Sequence, residues 1–228
     1  MAVQGPSESI LEAGCGNGRV VRYFQEQGYA ITGMDFIPEA VAKLKEAAPD
    51  LHVDVGDITR MQYADASFDV VLAFGLYHNL RDEPLERAMA ETVRVLKPGG
   101  RLCASFRADN WANRINDWHA DRKARETLGE AIPAGSKEFH KLNLTKNEFR
   151  TLVVRHGLRV TDLLYVENMP FLYKFGFFRH ADHRQFDESK GRREGYLLSR
   201  LGNRIQTRLM RCFPDQLCNI YVIIAHKD

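Results

Sequence analysis

The sequence is poor in the features that mark membrane-spanning, secreted and metal-binding proteins. Its 228 residues contain no apolar run close to the roughly 20 residues that cross a bilayer. No basic segment followed by an apolar stretch is found near its beginning, so no secretory signal is predicted. The four cysteines form no C-x-x-C pair; they are Cys15, Cys103, Cys212 and Cys218. Because the usual zinc and disulfide spacings are absent, we expect a cytoplasmic protein with reduced thiols and no metal site.

Net charge is also small, +2 over the whole chain, but its two halves differ in sign. Residues 1–100 contain 15 acidic and 9 basic side chains, whereas residues 101–228 contain 15 acidic and 23 basic ones. This asymmetry indicates different tasks for the two halves, or an anionic partner for the second. The length suits one domain, or one domain with a subdomain, and 44% hydrophobic residues suffice for a substantial core.

Strand-like and helix-like segments alternate over the first hundred residues. The predicted strands are 9–13, 29–34, 51–55, 68–74 and 101–106, and the predicted helices are 17–27, 38–47 and 83–96. The run FDVVLAF is apolar almost throughout, which is typical of a strand covered on both faces. The residues KPGG are expected to separate the third helix from the fifth strand. This alternation predicts an α/β fold with a doubly wound, mostly parallel sheet.

The second half of the chain is less regular. Residues 111–127 are predicted to be helical in part. Thr145 and Glu148 have the spacing of a capping box that opens a helix, and Gly157 is a candidate for its end. Residues 159–167 and 219–226 are predicted as two more strands. Roughly fifty residues lie between them, with an aromatic patch, FLYKFGFF, and a basic helical stretch over 188–212.

A glycine-rich loop follows the first predicted strand, in the sequence LEAGCGNGR. Glycines at a strand-to-helix turn let a ligand approach the backbone and expose N–H groups at a helix N-terminus. Arg19 stands where the dinucleotide-binding pattern G-x-G-x-x-G has its third glycine. Glu12 is a stronger objection to that pattern, because its carboxylate would repel a pyrophosphate. The loop suits a ligand that has positive charge, amino or hydroxyl groups and no phosphate.

The segment LEAGCGNG resembles the glycine motif of class I S-adenosylmethionine-dependent methyltransferases. Further landmarks of that family follow in order, namely GMDFIPEAV, VGDITRM, ASFDVVLAFGLYHNL and RVLKPGGRLCASF. The resemblance is dense over residues 8–107 and looser over 139–167. It implies a seven-stranded Rossmann-like methyltransferase sheet. It also implies S-adenosyl-L-methionine as the cofactor and S-adenosyl-L-homocysteine as the product.

The resemblance further implies a cofactor site along the carboxyl ends of the strands. In this family the acids that match Asp35 and Asp57 hold the ribose hydroxyls and the adenine amino group, and the residue that matches Ile58 touches the ring. The loop glycines admit the methionine moiety, and Glu12 is expected to attract the cationic end of the cofactor. The predicted cofactor-binding set is Glu12, Ala13, Gly14, Cys15, Gly16, Asp35, Phe36, Asp57, Ile58 and Phe74.

Methyl transfer from a sulfonium mainly requires that acceptor and methyl group are aligned and that water is excluded, and a base is not always needed. The loop GLYHNL faces the methyl group in this family, and many relatives have a His-His pair where this chain has His78 and Asn79. His78 is the first candidate for an acid/base or orienting residue, and Tyr77 is the second. His140 is a less favoured candidate. The alternative is that His78 only supports the loop.

The insertion leaves the acceptor open. Too few residues precede the first predicted strand to form the N-terminal helix that usually covers the cofactor. Residues 169–218 are therefore expected to be a lid or substrate subdomain beside a methyltransferase domain of residues 1–168 and 219–228. One stripe of the basic helix suits a solvated face, an anionic substrate, RNA or an anionic membrane surface; it consists of Arg200, Arg204, Arg208 and Arg211.

The leading prediction is an enzyme that moves a methyl group to oxygen or nitrogen of a small-molecule acceptor, such as a metabolite, lipid, quinone or sugar. The alternative is a tRNA or RNA methyltransferase that uses the basic helix for phosphate contacts. A third hypothesis is a non-catalytic partner protein that binds the cofactor. Peripheral membrane contact stays open, nucleic acid is not favoured, and no oligomeric state is predicted. A fold does not choose among acceptors.

Overall fold

The computed structural model describes residues 2–118 and 142–228, and it contains a seven-stranded sheet. The strands are β1 (Ser9–Ala13), β2 (Ala30–Asp35), β3 (Val53–Val55), β4 (Phe68–Ala73), β5 (Leu96–Arg107), β6 (Leu158–Val166) and β7 (Ile220–Lys227). Their order across the sheet is β3-β2-β1-β4-β5-β7-β6. The pairings from β3 through to β5 are parallel. The predicted doubly wound and mostly parallel α/β fold is therefore confirmed.

Helices lie between these strands along the chain. They are α1 (Arg19–Glu26), α2 (Pro38–Ala47), α3 (Asp82–Val95), α4 (residues 111–118), α5 (Lys146–Arg155), α6 (Glu188–Glu194), α7 (Arg200–Cys212) and α8 (Pro214–Leu217). Short 3-10 turns occur at Tyr77–Asn79, Phe171–Lys174, Gly176–Phe178 and Ala181–His183. Within residues 2–118 and 142–228, no helix has both the length and the apolar character needed to cross a membrane.

The strand order reverses between β1 and β4. The chain leaves β1 for β2 and β3 on one side and then returns to β4 on the other side. Side chains of both strands, including Ile10, Leu11, Val70 and Val71, are fully buried, as expected for parallel strands that are covered on two faces. In such sheets a crevice opens outside the carboxyl ends of the strands at the reversal, so this edge is where a ligand site is expected.

Helix α5 begins as the sequence pattern predicts. The N–H of Glu148 donates to Thr145 Oγ1 at 3.3 Å, and the N–H of Thr145 donates to Glu148 Oε2 at 2.8 Å. These reciprocal bonds satisfy two donors that a helix N-terminus leaves open. Gly157 follows the helix with φ of 81°, a left-handed conformation that glycine adopts without strain.

Strand β5 differs from its predicted extent. It begins at Leu96, so the residues KPGG lie inside the strand and do not precede it. Phe68 of β4 pairs with Leu96, whereas Val70 pairs with Arg101, so the extra residues form a bulge. Gly99, with φ of 75°, allows this bulge. The basic stretch 188–212 also differs, because Gly195 at φ of 83° separates α6 from α7.

The described chain divides into two compact units. The first comprises residues 2–107, 142–164 and 222–228 and holds most of the sheet. The second comprises residues 108–118 and 165–221 and includes α4, α6, α7 and α8. The core of the second unit is formed by Leu172, Tyr173 and Leu198, with side chains of α7 packed against them.

Candidate functional site

Three carboxylates lie at or just beyond the carboxyl ends of three neighbouring strands. Glu12 is the fourth residue of β1 and pairs with Gly33 of β2. Asp35 is the last residue of β2, and Asp57 follows β3 by two positions. Because these strands are parallel, their carboxyl ends meet at one edge of the sheet. The predicted acids therefore lie along the edge where the strand order reverses.

The loop between β1 and α1 is held in a tight conformation by three glycines. Gly14, Gly16 and Gly18 have φ angles of 74°, 49° and 67°, in the left-handed region that other residues avoid. The N–H groups of Gly14 and Cys15 donate to the carbonyl of Met34 at 2.7 and 3.0 Å. These bonds tie the loop to β2.

The glycines differ in what surrounds them. A Cβ at Gly18 would lie 2.6 Å from Leu44 Cδ2, so Gly18 allows α1 to pack against α2. A Cβ at Gly14 would lie 3.2 Å from Leu76 Cδ1. At Gly16, no heavy atom of the described chain would lie within 4 Å of such a Cβ. Gly16 is therefore the position where a ligand has room to approach the main chain.

The Glu12 carboxyl group is 5% exposed and accepts a hydrogen bond from the N–H of Val21 at 3.0 Å. Burial, together with the nearby charge of Asp35, raises the pKa of Glu12 to about 7, although the Val21 bond and the charge of Arg19 oppose this shift. A carboxyl group in this state ionises readily when a cation binds beside it. Burial also raises the pKa of the Cys15 thiol to about 12, so that thiol stays protonated.

Asp35 connects the glycine loop to the turn before α2. Its Oδ2 accepts from the N–H of Gly16 at 2.7 Å, and its Oδ1 accepts from the N–H of Ile37 at 3.0 Å. The carboxylate is thereby fixed in orientation and keeps further acceptor capacity on both oxygens. Phe36, the next residue, is 71% exposed, which leaves an aromatic face available at the strand end.

Asp57 is held within its own turn. Its Oδ1 accepts from the N–H and from the hydroxyl of Thr59, both at 2.8 Å, and the turn closes with a bridge between Asp57 and Arg60. These bonds to Oδ1 also fix the position of the other carboxylate oxygen, Oδ2. Ile58 is buried beside it.

The loop after β4 is braced by long-range hydrogen bonds. The N–H of Gly75 donates to Ser105 Oγ at 2.9 Å, and the Asn79 side chain donates to the carbonyl of Gly75 at 2.8 Å. The N–H of Leu142 donates to the carbonyl of His78 at 2.8 Å. The His78 ring is mostly buried and meets Phe106 edge to face, with ring centroids 6.3 Å apart. This loop holds His78 in a defined place.

Tyr77 and Phe74 point to different environments. Tyr77 is fully buried, and its hydroxyl lies 2.7 Å from that of Thr92 in α3. Burial raises the pKa of Tyr77. The phenol of Tyr77 is therefore buried in the core and hydrogen-bonded to Thr92. Phe74, by contrast, is 38% exposed at the end of β4.

Sequence reasoning missed the residues that brace this loop. Ser105 and Leu142 are distant from it in sequence, and no local motif marks them. Among the predicted residues, Ala13 is buried at the end of β1 beside the glycine loop. His140 lies outside the described residues.

The residues at this edge fit S-adenosylmethionine in their chemistry. That cofactor has a sulfonium, an amino group, ribose hydroxyls and an adenine ring, and it carries no phosphate. The edge offers carboxylate acceptors, an open backbone face at Gly16 and an exposed aromatic ring at Phe36. It does not resemble a phosphate site, because Glu12 and Asp35 would repel one.

The aromatic patch of the second unit is part core and part surface. Tyr173 is fully buried, and its hydroxyl lies 2.8 Å from His183 Nδ1. Phe175 and Phe177 are 48% and 79% exposed. On α7, all four arginines of the predicted basic stripe are exposed.

Comparison with known proteins agrees with this geometry. Residues 11–104 match the family model described as a methyltransferase domain. Over 109 residues the chain is 38% identical to a demethylmenaquinone methyltransferase of Beutenbergia cavernae. This alignment covers 47% of this chain and 44% of the relative. Over 119 residues it is 33% identical to a malonyl-[acyl-carrier protein] O-methyltransferase of Serratia marcescens, covering 51% and 45%. The chain thus spans less than half the length of these two relatives.

Solved structures match over a longer range. A SAM-dependent methyltransferase of Methanosarcina mazei superposes with a TM-score of 0.65 and 20% identity, covering 99% of this chain and 94% of that one. A SAM-dependent methyltransferase of Archaeoglobus fulgidus superposes with a TM-score of 0.63 and 17% identity, covering 96% of this chain and 86% of that one. At such low identity the likeness shows a shared fold.

Proposed function

We propose that this chain, whose residues 11–104 match a methyltransferase domain, is a class I S-adenosylmethionine-dependent methyltransferase and transfers the methyl group of that cofactor to oxygen or nitrogen of a small molecule. One observation carries the proposal. Glu12, Asp35 and Asp57 lie at or just beyond the carboxyl ends of three adjacent parallel strands, beside a glycine loop with open space at Gly16. A cationic nucleoside without phosphates is the ligand class that such an edge favours.

Each acid has its own part in this proposal. The ionised Glu12 attracts the cationic amino acid end of the cofactor, and the open backbone at Gly16 admits its methionine moiety. Asp35, fixed by two backbone N–H groups, accepts from the ribose hydroxyls, and Asp57 accepts from the adenine amino group. Phe36 and Ile58 supply apolar contacts for the ring.

When bound, the cofactor supplies a methyl group that its sulfonium already activates. The protein then has to align the acceptor and exclude water. We assign His78 to orienting the acceptor or taking its proton, because the braced loop holds its ring beside the end of β4. Tyr77 supports that loop from the core through its contact with Thr92.

The names of the relatives support a small-molecule acceptor. One is named for methylation of demethylmenaquinone and another for methylation of a malonyl group on a carrier protein. Those acceptors belong to those proteins, and this chain aligns with less than half of each. We therefore propose the acceptor class only, and we keep the role of residues 169–218 as a lid or substrate subdomain as a part of the proposal.

The decisive experiment follows the methyl label. The protein is incubated with methyl-labelled S-adenosylmethionine and a cell extract, and small-molecule, RNA and protein fractions are then separated. We expect label in the small-molecule fraction. Label confined to RNA, or to protein in a form other than an acyl group on a carrier protein, would overturn the acceptor class.

Calorimetry tests the cofactor site separately. Asp35→Asn is expected to weaken S-adenosylmethionine binding about tenfold to about a hundredfold, because it weakens charge-assisted hydrogen bonds. Asp50→Asn, which changes an exposed acid elsewhere in the same unit, is the matched control and is expected to bind as the wild type does. Absence of any binding by the wild type would remove the proposal.

A further inference from the structure

The solvent face of α7 carries four arginines, Arg200, Arg204, Arg208 and Arg211, which we call the arginine face. Residues three and four apart lie on the same side of a helix, so the four guanidinium groups form one row. All four residues are exposed, and α7 contains no acidic residue. Within the described part of the chain, none of the four has an ion-pair partner. This row is therefore an uncompensated positive surface.

The opposite side of α7 is locked into the second unit. A Cβ at Gly202 would lie 2.5 Å from the carbonyl of Phe178, so the helix backbone packs closely there. Gln206 is buried, and its Oε1 accepts from the N–H of Leu172 at 3.1 Å. Ile205 packs against the core of the unit. These contacts fix which side of α7 faces outward, so the arginine face has a defined orientation within its unit.

Exposed apolar side chains accompany the arginine face. Leu201 is 51% exposed and precedes Arg204 by three residues, so it borders the row. Leu197 is 43% exposed just before the helix, and Phe213 is 57% exposed just after it. Phe177 is 79% exposed, but its turn packs at Gly202 on the opposite side of α7, so Phe177 is not counted with the arginine face. Positive charge and exposed apolar groups are thus combined in one region of the second unit.

We propose that the arginine face and its apolar neighbours form a docking surface for an anionic membrane. Guanidinium groups pair with lipid phosphates, and leucine and phenylalanine side chains gain by leaving water at the level of the headgroups. A nucleic acid backbone is contacted by charged and polar groups, and exposed leucines contribute nothing to such contacts. The combination of arginine with aliphatic and aromatic side chains therefore favours lipid.

Vesicle sedimentation tests this surface directly. The full chain is mixed with vesicles of phosphatidylcholine alone, or with an added share of phosphatidylglycerol. We expect binding to the anionic vesicles only. The variant R200Q/R204Q/R208Q is expected to lose about a hundredfold in partition coefficient, since each arginine near an anionic surface contributes appreciably.

The matched control removes the same amount of charge from the first unit. K43Q/K45Q/R150Q changes three exposed cations on α2 and α5 and is expected to bind as the wild type does. Equal losses in both triple variants would show a net-charge effect and overturn the proposal. Equal binding of the wild type to neutral and anionic vesicles would also overturn it.

Two further measurements do not depend on the folding of the triple variant. Binding of the wild type to anionic vesicles is expected to weaken steeply between about 0.05 M and about 0.5 M salt, because salt screens exposed charges. L197S/L201S is expected to weaken binding while leaving that salt dependence unchanged. Salt-independent binding, or binding to tRNA that exceeds binding to the vesicles at the same salt concentration, would overturn the proposal. None of these measurements requires methyl transfer.

Discussion

Glu12 is predicted to make cofactor binding depend on pH. Its carboxyl group is 5% exposed, and burial is the main reason that its pKa is raised to about 7. A bound cation beside it favours the ionised form and lowers that pKa. We therefore predict that S-adenosylmethionine binding releases about one proton near pH 6 and almost none near pH 9. Calorimetry in two buffers with different ionisation enthalpies measures this number.

Glu12→Gln separates the charge from the hydrogen bond, because the amide oxygen still accepts from Val21. The variant is expected to release no proton and to bind about tenfold to about a hundredfold more weakly. Since the folded pKa is raised above its ordinary value of 4.5, wild-type stability falls as pH rises from about 4.5 through about 7. Without cofactor, the variant should therefore have a higher melting temperature than the wild type near pH 8. Near pH 4 the two melting temperatures should be equal. Proton-free binding by the wild type near pH 6 would contradict this account.

His78 is predicted to act on the acceptor and not on the cofactor. His78→Ala should lower kcat about a hundredfold or more, the usual size of a general acid–base contribution, while S-adenosylmethionine affinity stays within about twofold. If His78 takes a proton, the variant should also lose the acidic limb of the pH profile of kcat. His78→Gln keeps a polar side chain in the loop and serves as the control for folding. Wild-type turnover by His78→Ala would remove His78 from the mechanism, whereas wild-type turnover by His78→Gln alone would exclude proton transfer and leave the orienting role.

Residues whose role follows from a strand end are predictable from the sequence. Glu12 and Asp35 adjoin apolar runs that read as strands, so their place at the sheet edge follows from the order of elements. The partners that brace the loop after β4 are harder to predict, because Ser105 and Thr92 reach Gly75 and Tyr77 only through the packing of distant segments. Such contacts depend on strand register and helix rotation, which no local motif encodes.

At the scale of elements, the end of α3 is secured by a strand far away in sequence. Lys227 in β7 donates its ammonium to the carbonyls of Val93 and Leu96, at 2.6 and 2.7 Å. A cation is favourable where a helix C-terminus leaves carbonyls unpaired. We predict that Lys227→Met lowers the free energy of unfolding by about 1–3 kcal/mol, measured by urea denaturation.

The matched control for this cap is Lys43→Met, which removes an exposed ammonium from α2. It is expected to change the free energy of unfolding by less than about 0.5 kcal/mol. If both variants have the wild-type urea midpoint, the contacts of Lys227 do not stabilise the fold.

Element limits that depend on local signals are predicted best. The proline at the start of α2 and the capping box of α5 fix helix starts, and both are found where expected. Glycine misled the prediction twice in opposite directions. Gly99 forms a bulge within β5, whereas Gly195 interrupts what the charge pattern suggested was one helical stretch. A glycine φ angle is decided by the surrounding packing, so its effect on an element is not read from composition.

At the scale of the whole molecule, the sheet is predictable because crossover rules leave few arrangements for alternating strands and helices. The grouping of residues 108–118 with residues 165–221 is a different matter. It depends on contacts such as those of Asn110, whose amide donates to the carbonyls of Asp215 and Cys218 at 2.8 Å. These partners are about a hundred residues apart, and no periodicity links them.

Two carboxylates with lowered pKa values, Glu8 and Asp69, lie near the amino ends of β1 and β4. Asp69 accepts from Lys97 Nζ, from the N–H of Ser9 and from its hydroxyl at 2.8, 2.9 and 2.7 Å. The bond from Lys97 is the main reason that the pKa of Asp69 is lowered to about 2. Burial alone would raise the pKa of Glu8, but hydrogen bonds that include one from Arg101 lower it. Both carboxylates therefore favour the folded state when ionised.

A carboxylate with a depressed pKa stabilises the fold above its ordinary pKa, and this contribution is lost as pH falls through the folded pKa. For Asp69 the loss runs from its ordinary value of 3.8 down to about 2. We predict that Asp69→Asn lowers the free energy of unfolding by about 1 kcal/mol near pH 7, since the pair with Lys97 is partly exposed. Urea denaturation at successive pH values should show the wild type and the variant converging near pH 2, with Asp50→Asn following the wild type throughout. A constant difference between the two curves down to pH 2 would assign the effect of the substitution to packing and not to the charge.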